Sequence, residues 1–127
     1  MNPAYKETVF ESELRFFPDV FAIITAHNPE GLNCPPAVNE SLNRDLLREI
    51  RAPAFDSFEI TGMSPDGVHR EAGFGIVGPL EAAVQLGRKY KQEAIFRIEQ
   101  DQLSLIDLKD LKAYSLGSFN ARCACPE

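Results

Sequence analysis

The chain lacks a basic surplus, any long apolar run and an N-terminal signal, and each absence excludes a class of protein. Thirteen Lys and Arg stand against nineteen Asp and Glu, for a net charge of −6. This balance disfavours nucleic-acid binding, which requires a basic surface. No apolar run approaches the roughly 18 residues that span a bilayer. The first ten residues, MNPAYKETVF, carry no basic segment followed by an apolar core. We therefore expect a cytoplasmic protein with no membrane contact.

Cysteine is scarce as well, with only Cys34, Cys123 and Cys125. An odd count without framework spacing is typical of a reducing compartment. The Cys-x-Cys pair, together with Cys34 and a histidine, is one conceivable zinc site. Zinc motifs usually contain pairs spaced by two to four residues, however, and only this one loose pair is present. We expect no metal site and no cofactor, and a less ordered C-terminal tail from about residue 112.

The length of 127 residues fits a single domain that needs neither disulfides nor a structural metal for its core. No internal repeat, low-complexity tract or linker divides the chain. A homodimer is one option, because two-fold assemblies are the commonest.

Hydrophobic periodicity predicts helices over residues 37–51 and 80–91. It predicts strands over residues 19–26, 57–62, 71–77, 93–99 and 103–108, with a further short strand within 4–11. Beyond Leu111 no period is visible. The order strand, helix, two strands, helix, two strands predicts an α+β fold in which two helices pack on one face of a mixed sheet. A distorted ferredoxin-like arrangement fits the same pattern.

The segment FAIITAHNPEG, residues 21–31, is an apolar run that leads directly into polar side chains. Such a run indicates a buried strand, and Asn28-Pro29 ends it because proline cannot donate to the ladder. Thr25, His27 and Asn28 therefore follow the carboxyl end of a central strand, where open α/β sheets tend to bind ligands. This end of the strand is the predicted site.

Each polar residue near this strand end also has a structural interpretation. His27 is a general base, a metal ligand or a cap of the strand end, and capping is the commoner role. Asn28 before proline suits an Asx-turn. Asn39, early in the first helix, and Gln92, just past the second, are suited to satisfying free backbone groups.

The segment His69-Arg70-Glu71 brings three ionisable residues to the start of a strand. Strand alternation places His69 and Glu71 on one face and Arg70 on the other. Glu71 is then a general base or an anchor for a ligand donor. The alternative is a salt bridge to a lysine or arginine at the strand end.

Residues 73–78 spell G-x-G-x-x-G, but the residues before Gly73 are too polar for the strand that a dinucleotide site requires. We predict instead that Gly73 and Gly75 lie inside a strand and admit another backbone or a ligand. No nucleophile elbow and no phosphate-binding loop is present.

Several blocks of the sequence resemble the domain-of-unknown-function family 3293, small proteins of bacteria and phages. The shared residues span about residues 4–108, and they are Ala4, Tyr5, Thr8, the segment 21–31, Asn39, Leu42, Asp66, Gly67, Glu71, Ala83, Leu86, Gly87, Arg88, Tyr90, Gln92, Ala94, Ile95 and Phe96. Family members often carry tryptophan at the position of His27 and an aromatic residue near His69. This chain has no tryptophan, so if those aromatic residues line a pocket in the family, the pocket here is more polar. The resemblance implies no established activity.

Three functions remain open at this point. The first is a binding domain for a small polar ligand, of which a nucleotide-like molecule is one form, at Thr25, His27, Asn28, Asn39, Glu71 and Gln92. The second is a hydrolase or transferase that uses Glu71 or His27 as general base. The third is a module that binds a protein partner through an exposed apolar patch around Phe55, Phe58 and Phe119.

Overall fold

The computed structural model describes residues 1–124, and within them eight strands form one sheet. The strands are β1 (Val9–Glu11), β2 (Val20–Ile24), β3 (Asp56–Met63), β4 (Arg70–Val77), β5 (Ala94–Glu99), β6 (Gln102–Asp107), β7 (Ala113–Ser118) and β8 (Cys123–Ala124). The helices are α1 (Pro36–Arg51) and α2 (Leu80–Lys89). Short 3-10 turns span Pro3–Glu7, Pro29–Gly31 and Asn120–Arg122.

The sheet order is β7-β6-β5-β2-β4-β3-β1-β8, and every neighbouring pair is antiparallel except β1 with β8. Its centre runs β2-α1-β3-β4-α2-β5 along the chain and β5-β2-β4-β3 in space. This is the ferredoxin-like arrangement, extended by two strands at each edge. The α+β class and the mixed sheet are confirmed. The short strand predicted within residues 4–11 is present as β1, and the predicted element order is incomplete because it lacks β7 and β8.

Both helices cover one face of the sheet. Pro36 begins α1 at a position where its missing N–H costs nothing. The buried residues of α1 are Asn39, Asn43, Leu46 and Ile50, which share one helical face. In α2, Glu81 stands in the first turn and Arg88 and Lys89 in the last, as the helix dipole favours.

The opposite face is concave, because the sheet curls until its edges approach one another. Phe10 of β1 meets Phe96 of β5 with ring centroids 5.0 Å apart, although three strands separate them in the sheet. One half of the concave face is filled by an aromatic cluster, which comprises Phe10, Phe17, Phe21, Phe58, Phe96 and Phe119. Arg122 then joins the edges, since it donates to the carbonyl oxygens of Thr8 beside β1 and Leu116 in β7.

Two stretches of the chain differ from the predicted elements. The first part of residues 4–11 is a 3-10 turn, because Pro3 opens it and the Asn2 side chain accepts from the Ala4 N–H at 2.9 Å. Beyond Leu111, where no element was predicted, Ala113–Ser118 form β7. Its pattern is hard to read because Gly117 has a φ of +86° and a register shift lies opposite it.

The predicted apolar patch is not formed. Phe119 is 1% exposed within the aromatic cluster, and Phe58 packs against the same cluster. Phe55 lies on the other face of the sheet, against the helices. Among residues 1–124 no helix is long and apolar enough to cross a membrane. Of the three cysteines, Cys125 lies outside the described residues.

Candidate functional site

A cavity of about 410 Å³ opens on the concave face, at the carboxyl end of β2. Apolar side chains from five strands form its floor, and they are Phe10, Ile23, Ile60, Phe96 and Leu105. Polar side chains stand around its mouth, among them Tyr5, Thr25, Asn28, His69, Glu71 and Gln92. An apolar cavity with a few convergent polar groups is the usual form of a small-molecule site.

The cavity exists because the concave face carries small residues at this end. Gly62, Gly73 and Ala94 all line it. Gly62 pairs across the sheet with Phe10 on one side and Glu71 on the other, so the missing side chain leaves room between them. At the opposite end the space above Gly75 is occupied by the ring of Phe58.

The two glycines of β4 confirm the prediction of close approach within a strand. A Cβ at Gly73 would lie 3.1 Å from the carbonyl carbon of Ile24 and would press on its oxygen. A Cβ at Gly75 would collide with the Phe58 ring. Gly73 therefore admits another backbone, and Gly75 admits an aromatic side chain.

Asn28 is held by five hydrogen bonds, one of them from the Gly31 N–H to its carbonyl at 2.9 Å, in a left-handed conformation with φ +50°, which asparagine tolerates better than most residues. Its backbone N–H donates to Asn39 Oδ1 at 2.9 Å. Its Oδ1 accepts from the Cys34 N–H and from Asn39 Nδ2, both at 3.0 Å. The predicted Asx-turn is wrong, since the side chain reaches six residues onward. These acceptor bonds direct Nδ2 toward Glu71 Oε2 at 2.9 Å.

Two buried asparagines of α1 brace this strand end. The prediction that Asn39 satisfies a free backbone group is confirmed, because its Oδ1 accepts from the backbone N–H of Asn28, in the loop before the helix. Asn43, which sequence reasoning missed, accepts from the Ala26 N–H at 2.9 Å and donates to the Ala72 carbonyl at 2.8 Å. Two asparagines at i and i+4 on the apolar stripe of a helix were the available signal.

Thr25 and Gln92 line the cavity, but most of their side-chain hydrogen bonds are made to backbone groups. The Thr25 hydroxyl donates to the Ala72 carbonyl at 2.6 Å and accepts from the His27 N–H at 3.0 Å. Gln92 Nε2 donates to the carbonyls of His27 at 3.0 Å and Tyr90 at 3.2 Å. Because both partners are acceptors, Oε1 of Gln92 is left as the group able to meet a ligand.

Glu71 is the one carboxylate in the cavity lining that residues 1–124 provide, and its side chain is 16% exposed. Its Oε2 accepts from Asn28 and lies 3.7 Å from Nε2 of His69. Glu71 and His69 therefore share a face, as predicted. The alternative of a lysine or arginine partner is wrong within residues 1–124. Oε1 of Glu71 accepts no hydrogen bond from any of residues 1–124.

His27 and Asn39 do not line the cavity. His27 lies beside it, with its backbone bonded to Thr25 and Gln92. Burial lowers the pKa of its imidazole from the ordinary 6.5, against the opposing effect of the carboxylates of Glu71 and Glu40, and the neighbouring His69 lowers it further.

Tyr5 was given no site role by sequence reasoning, yet the 3-10 turn at the N-terminus delivers it to the cavity mouth. Burial, together with the smaller effects of the carboxylates of Glu71 and Glu93, raises the pKa of its phenol to about 12. No local signal marks Tyr5, since its neighbours at the site come from β4 and β5.

Glu71 gives the cavity lining its negative charge. None of the residues of 1–124 that line it is a lysine or arginine, and His69, at the mouth, is 58% exposed. Among the same residues no three His, Cys, Asp or Glu side chains come together as a metal site.

The sequence model of one family, described as Protein of unknown function (DUF3293), matches residues 24–95. The matched segment begins at the last residue of β2 and includes Asn28, Asn39, Glu71 and Gln92. No curated protein and no solved structure matches the chain.

Proposed function

The chain belongs to the family Protein of unknown function (DUF3293), so its activity has to be argued from its own site, and we propose that it binds a small molecule in the cavity at the end of β2. One observation carries this proposal. The cavity is preformed and apolar at its floor, and its half-buried carboxylate Glu71 keeps one oxygen available to a ligand.

The proposal gives the polar residues two kinds of role. Glu71 and Gln92 contact the ligand, since each retains an oxygen without a partner among residues 1–124. Thr25 and Asn28 form the wall beside them, and Asn28 orients the Glu71 carboxylate. His27 and Asn39 do not line the cavity. They support this wall through hydrogen bonds, His27 to Thr25 and Asn39 to Asn28.

A nucleotide-like ligand would have to bind through its base or sugar. Phosphate recognition uses arginine, lysine or a helix N-terminus. The cavity lining offers neither Lys nor Arg within residues 1–124, and it presents Glu71 instead. Ligands without a negative charge fit this lining best.

The proposal is tested by a thermal-shift screen of nucleosides, sugars, amino acids and amines against three proteins. The wild type is compared with Gly62→Leu, which fills the cavity, and with Gly62→Ala, whose Cβ meets its nearest atoms, Thr8 Cγ2 at 3.4 Å and Phe10 Cε1 at 3.9 Å, at ordinary contact distance. A ligand at a hundred times its Kd adds about 2.7 kcal/mol of stability. We expect a hit that survives Gly62→Ala and disappears in Gly62→Leu. Hits that Gly62→Leu retains, or no hit in any class, contradict the proposal.

A hydrolase or transferase reaction is a second candidate, favoured by the position of the half-buried Glu71 carboxylate in the cavity lining. Its base is Glu71 rather than His27, which does not line the cavity. Incubating each hit with the protein and following its NMR spectrum separates the two functions. Chemical change that is lost in Glu71→Gln supports catalysis, and an unchanged bound ligand supports binding alone.

A further inference from the structure

Resting on the proposed function, we infer that the ligand of this cavity is an organic cation: an amine, amidine or guanidine nitrogen attached to an apolar body. The nitrogen pairs with the Glu71 carboxylate, and the body lies on the apolar floor.

Hydrogen-bond capacity is the first argument. The Cys34 N–H can only donate, so it fixes Oδ1 of Asn28 and turns Nδ2 toward Glu71 Oε2. Likewise the two carbonyls that Gln92 Nε2 serves leave Oε1 of Gln92 as its unused atom. Glu71 Oε1 and Gln92 Oε1 are therefore both acceptors at the cavity. A ligand that satisfies them has to carry donors.

Charge is the second argument. A carboxylate in an apolar cavity is stabilised by a cation and opposed by a second anion. The lining contains no Lys or Arg within residues 1–124 that would neutralise Glu71. Glu71 and Glu93 also lie close enough to the Tyr5 phenol to add to the rise that burial causes in its pKa.

The floor defines the rest of the ligand. Phe10, Ile23, Ile60 and Phe96 line the cavity with carbon surface, and burying an apolar body against them is favourable in proportion to the area covered. Phe96 is partly exposed, so its ring also offers a face to a cationic group.

The test uses three probes of one shape and different charge: benzylamine, benzyl alcohol and benzoate. Their binding is measured by calorimetry to the wild type, Glu71→Gln and Glu93→Gln. The Glu71→Gln variant keeps an acceptor for Asn28 but loses the charge. The Glu93→Gln variant removes a charge from the same neighbourhood outside the cavity lining. We expect benzylamine to bind best, and to lose about tenfold or more in affinity in Glu71→Gln but less in Glu93→Gln.

Benzyl alcohol distinguishes a wrong ligand class from a wrong binding function. Its affinity is expected to be weaker than that of benzylamine and nearly unchanged by Glu71→Gln. If benzyl alcohol or benzoate binds as tightly as benzylamine, and Gly62→Leu abolishes that binding, the cationic class is wrong while the proposed function stands. If no probe binds, or if Gly62→Leu leaves binding intact, both are overturned. Equal losses in Glu71→Gln and Glu93→Gln also overturn the direct ion pair.

Discussion

The side-chain amide of Asn28 donates to Oε2 of Glu71 at 2.9 Å, across 43 positions of sequence. The bond ties the loop after β2 to the start of β4, two strands that are already paired. Because the Cys34 N–H and Asn39 fix the other end of the amide, the carboxylate at the cavity is set by contacts made outside it. The orientation of Glu71 therefore depends on α1 and on the loop that precedes it.

Replacing Asn28 with aspartate should destabilise the protein by about 1–3 kcal/mol near neutral pH, because a carboxylate would then face the Glu71 carboxylate. Aspartate tolerates the left-handed backbone almost as well as asparagine, so the effect isolates the lost donor. Urea unfolding measures it. The double variant Asn28→Asp/Glu71→Gln restores a donor opposite an acceptor with the roles exchanged, and it should recover most of the loss. Additive losses would show that the two side chains are not coupled.

Gly75→Ala should destabilise the fold by about 1–3 kcal/mol, since the new methyl group would collide with the Phe58 ring inside a packed cluster. Gly62→Ala, also within a strand, is the matched control and should change stability little. Combining Gly75→Ala with Phe58→Leu removes the collision and should cost less than the sum of the two single changes. Equal costs for Gly75→Ala and Gly62→Ala would contradict the contact.

Much of the central fold follows from local patterns in the sequence. Apolar runs and turn residues predict β2 to β6, and the apolar stripes of α1 and α2 place both helices on the sheet. Only the first part of residues 4–11 was misread as strand, because Pro3 and Asn2 favour a tight turn there. The strand β7 was missed because its alternation is short: only Tyr114 and Leu116 are large apolar residues, and Gly117 with φ +86° follows them.

The cavity is only partly predictable for a different reason. Thr25, Asn28, Glu71 and Gln92 line it, as expected from the strand end. Tyr5, however, comes from a segment far away in sequence, and its position depends on the curl of the sheet. Curling is a sum of many small strand twists, and no short motif encodes it.

Arg122→Met should loosen the join between the sheet edges. The Arg122 guanidinium donates to the carbonyls of Lys6 at 2.6 Å, Thr8 at 3.2 Å and Leu116 at 3.4 Å. Losing these charged donors should cost about 1–3 kcal/mol in urea unfolding, and amide hydrogen exchange should quicken in β1 and β7. Arg44→Met is the control, because Arg44 is exposed and makes no hydrogen bond or ion pair within residues 1–124. A similar effect of both changes would contradict the role of Arg122.

Acidification should destabilise the protein through His27. Burial, followed by the effect of His69, lowers the pKa of His27 below 6.5 in the folded protein, despite the opposing carboxylates. Just below 6.5 the unfolded chain therefore binds more protons than the folded one, so stability is present above that pH and is lost as the pH falls. Urea unfolding at about pH 7.5 and about pH 5.5 should show a smaller loss for His27→Gln than for the wild type. NMR titration should show His27 taking up its proton at lower pH than a free histidine.

The pKa of the Tyr5 phenol responds to the negative charge at the cavity, because ionising the phenol places a further negative charge there. In the folded protein its pKa is raised from 10.0 to about 12 by burial and then by Glu71 and Glu93. The unfolded chain loses this proton first, so the stability that Tyr5 contributes is complete below pH 10 and is lost as the pH rises toward about 12.

Ultraviolet titration of tyrosinate, with Tyr5→Phe subtracted, isolates this group from Tyr90, whose pKa is also raised to about 12. Glu71→Gln should lower the Tyr5 value part of the way toward 10.0 and Glu93→Gln less, in the order of their effects. Tyr90 is an internal reference, since its partner is Glu49. A Tyr5 pKa that is the same in Glu71→Gln as in the wild type would contradict an effect of the Glu71 carboxylate on the cavity.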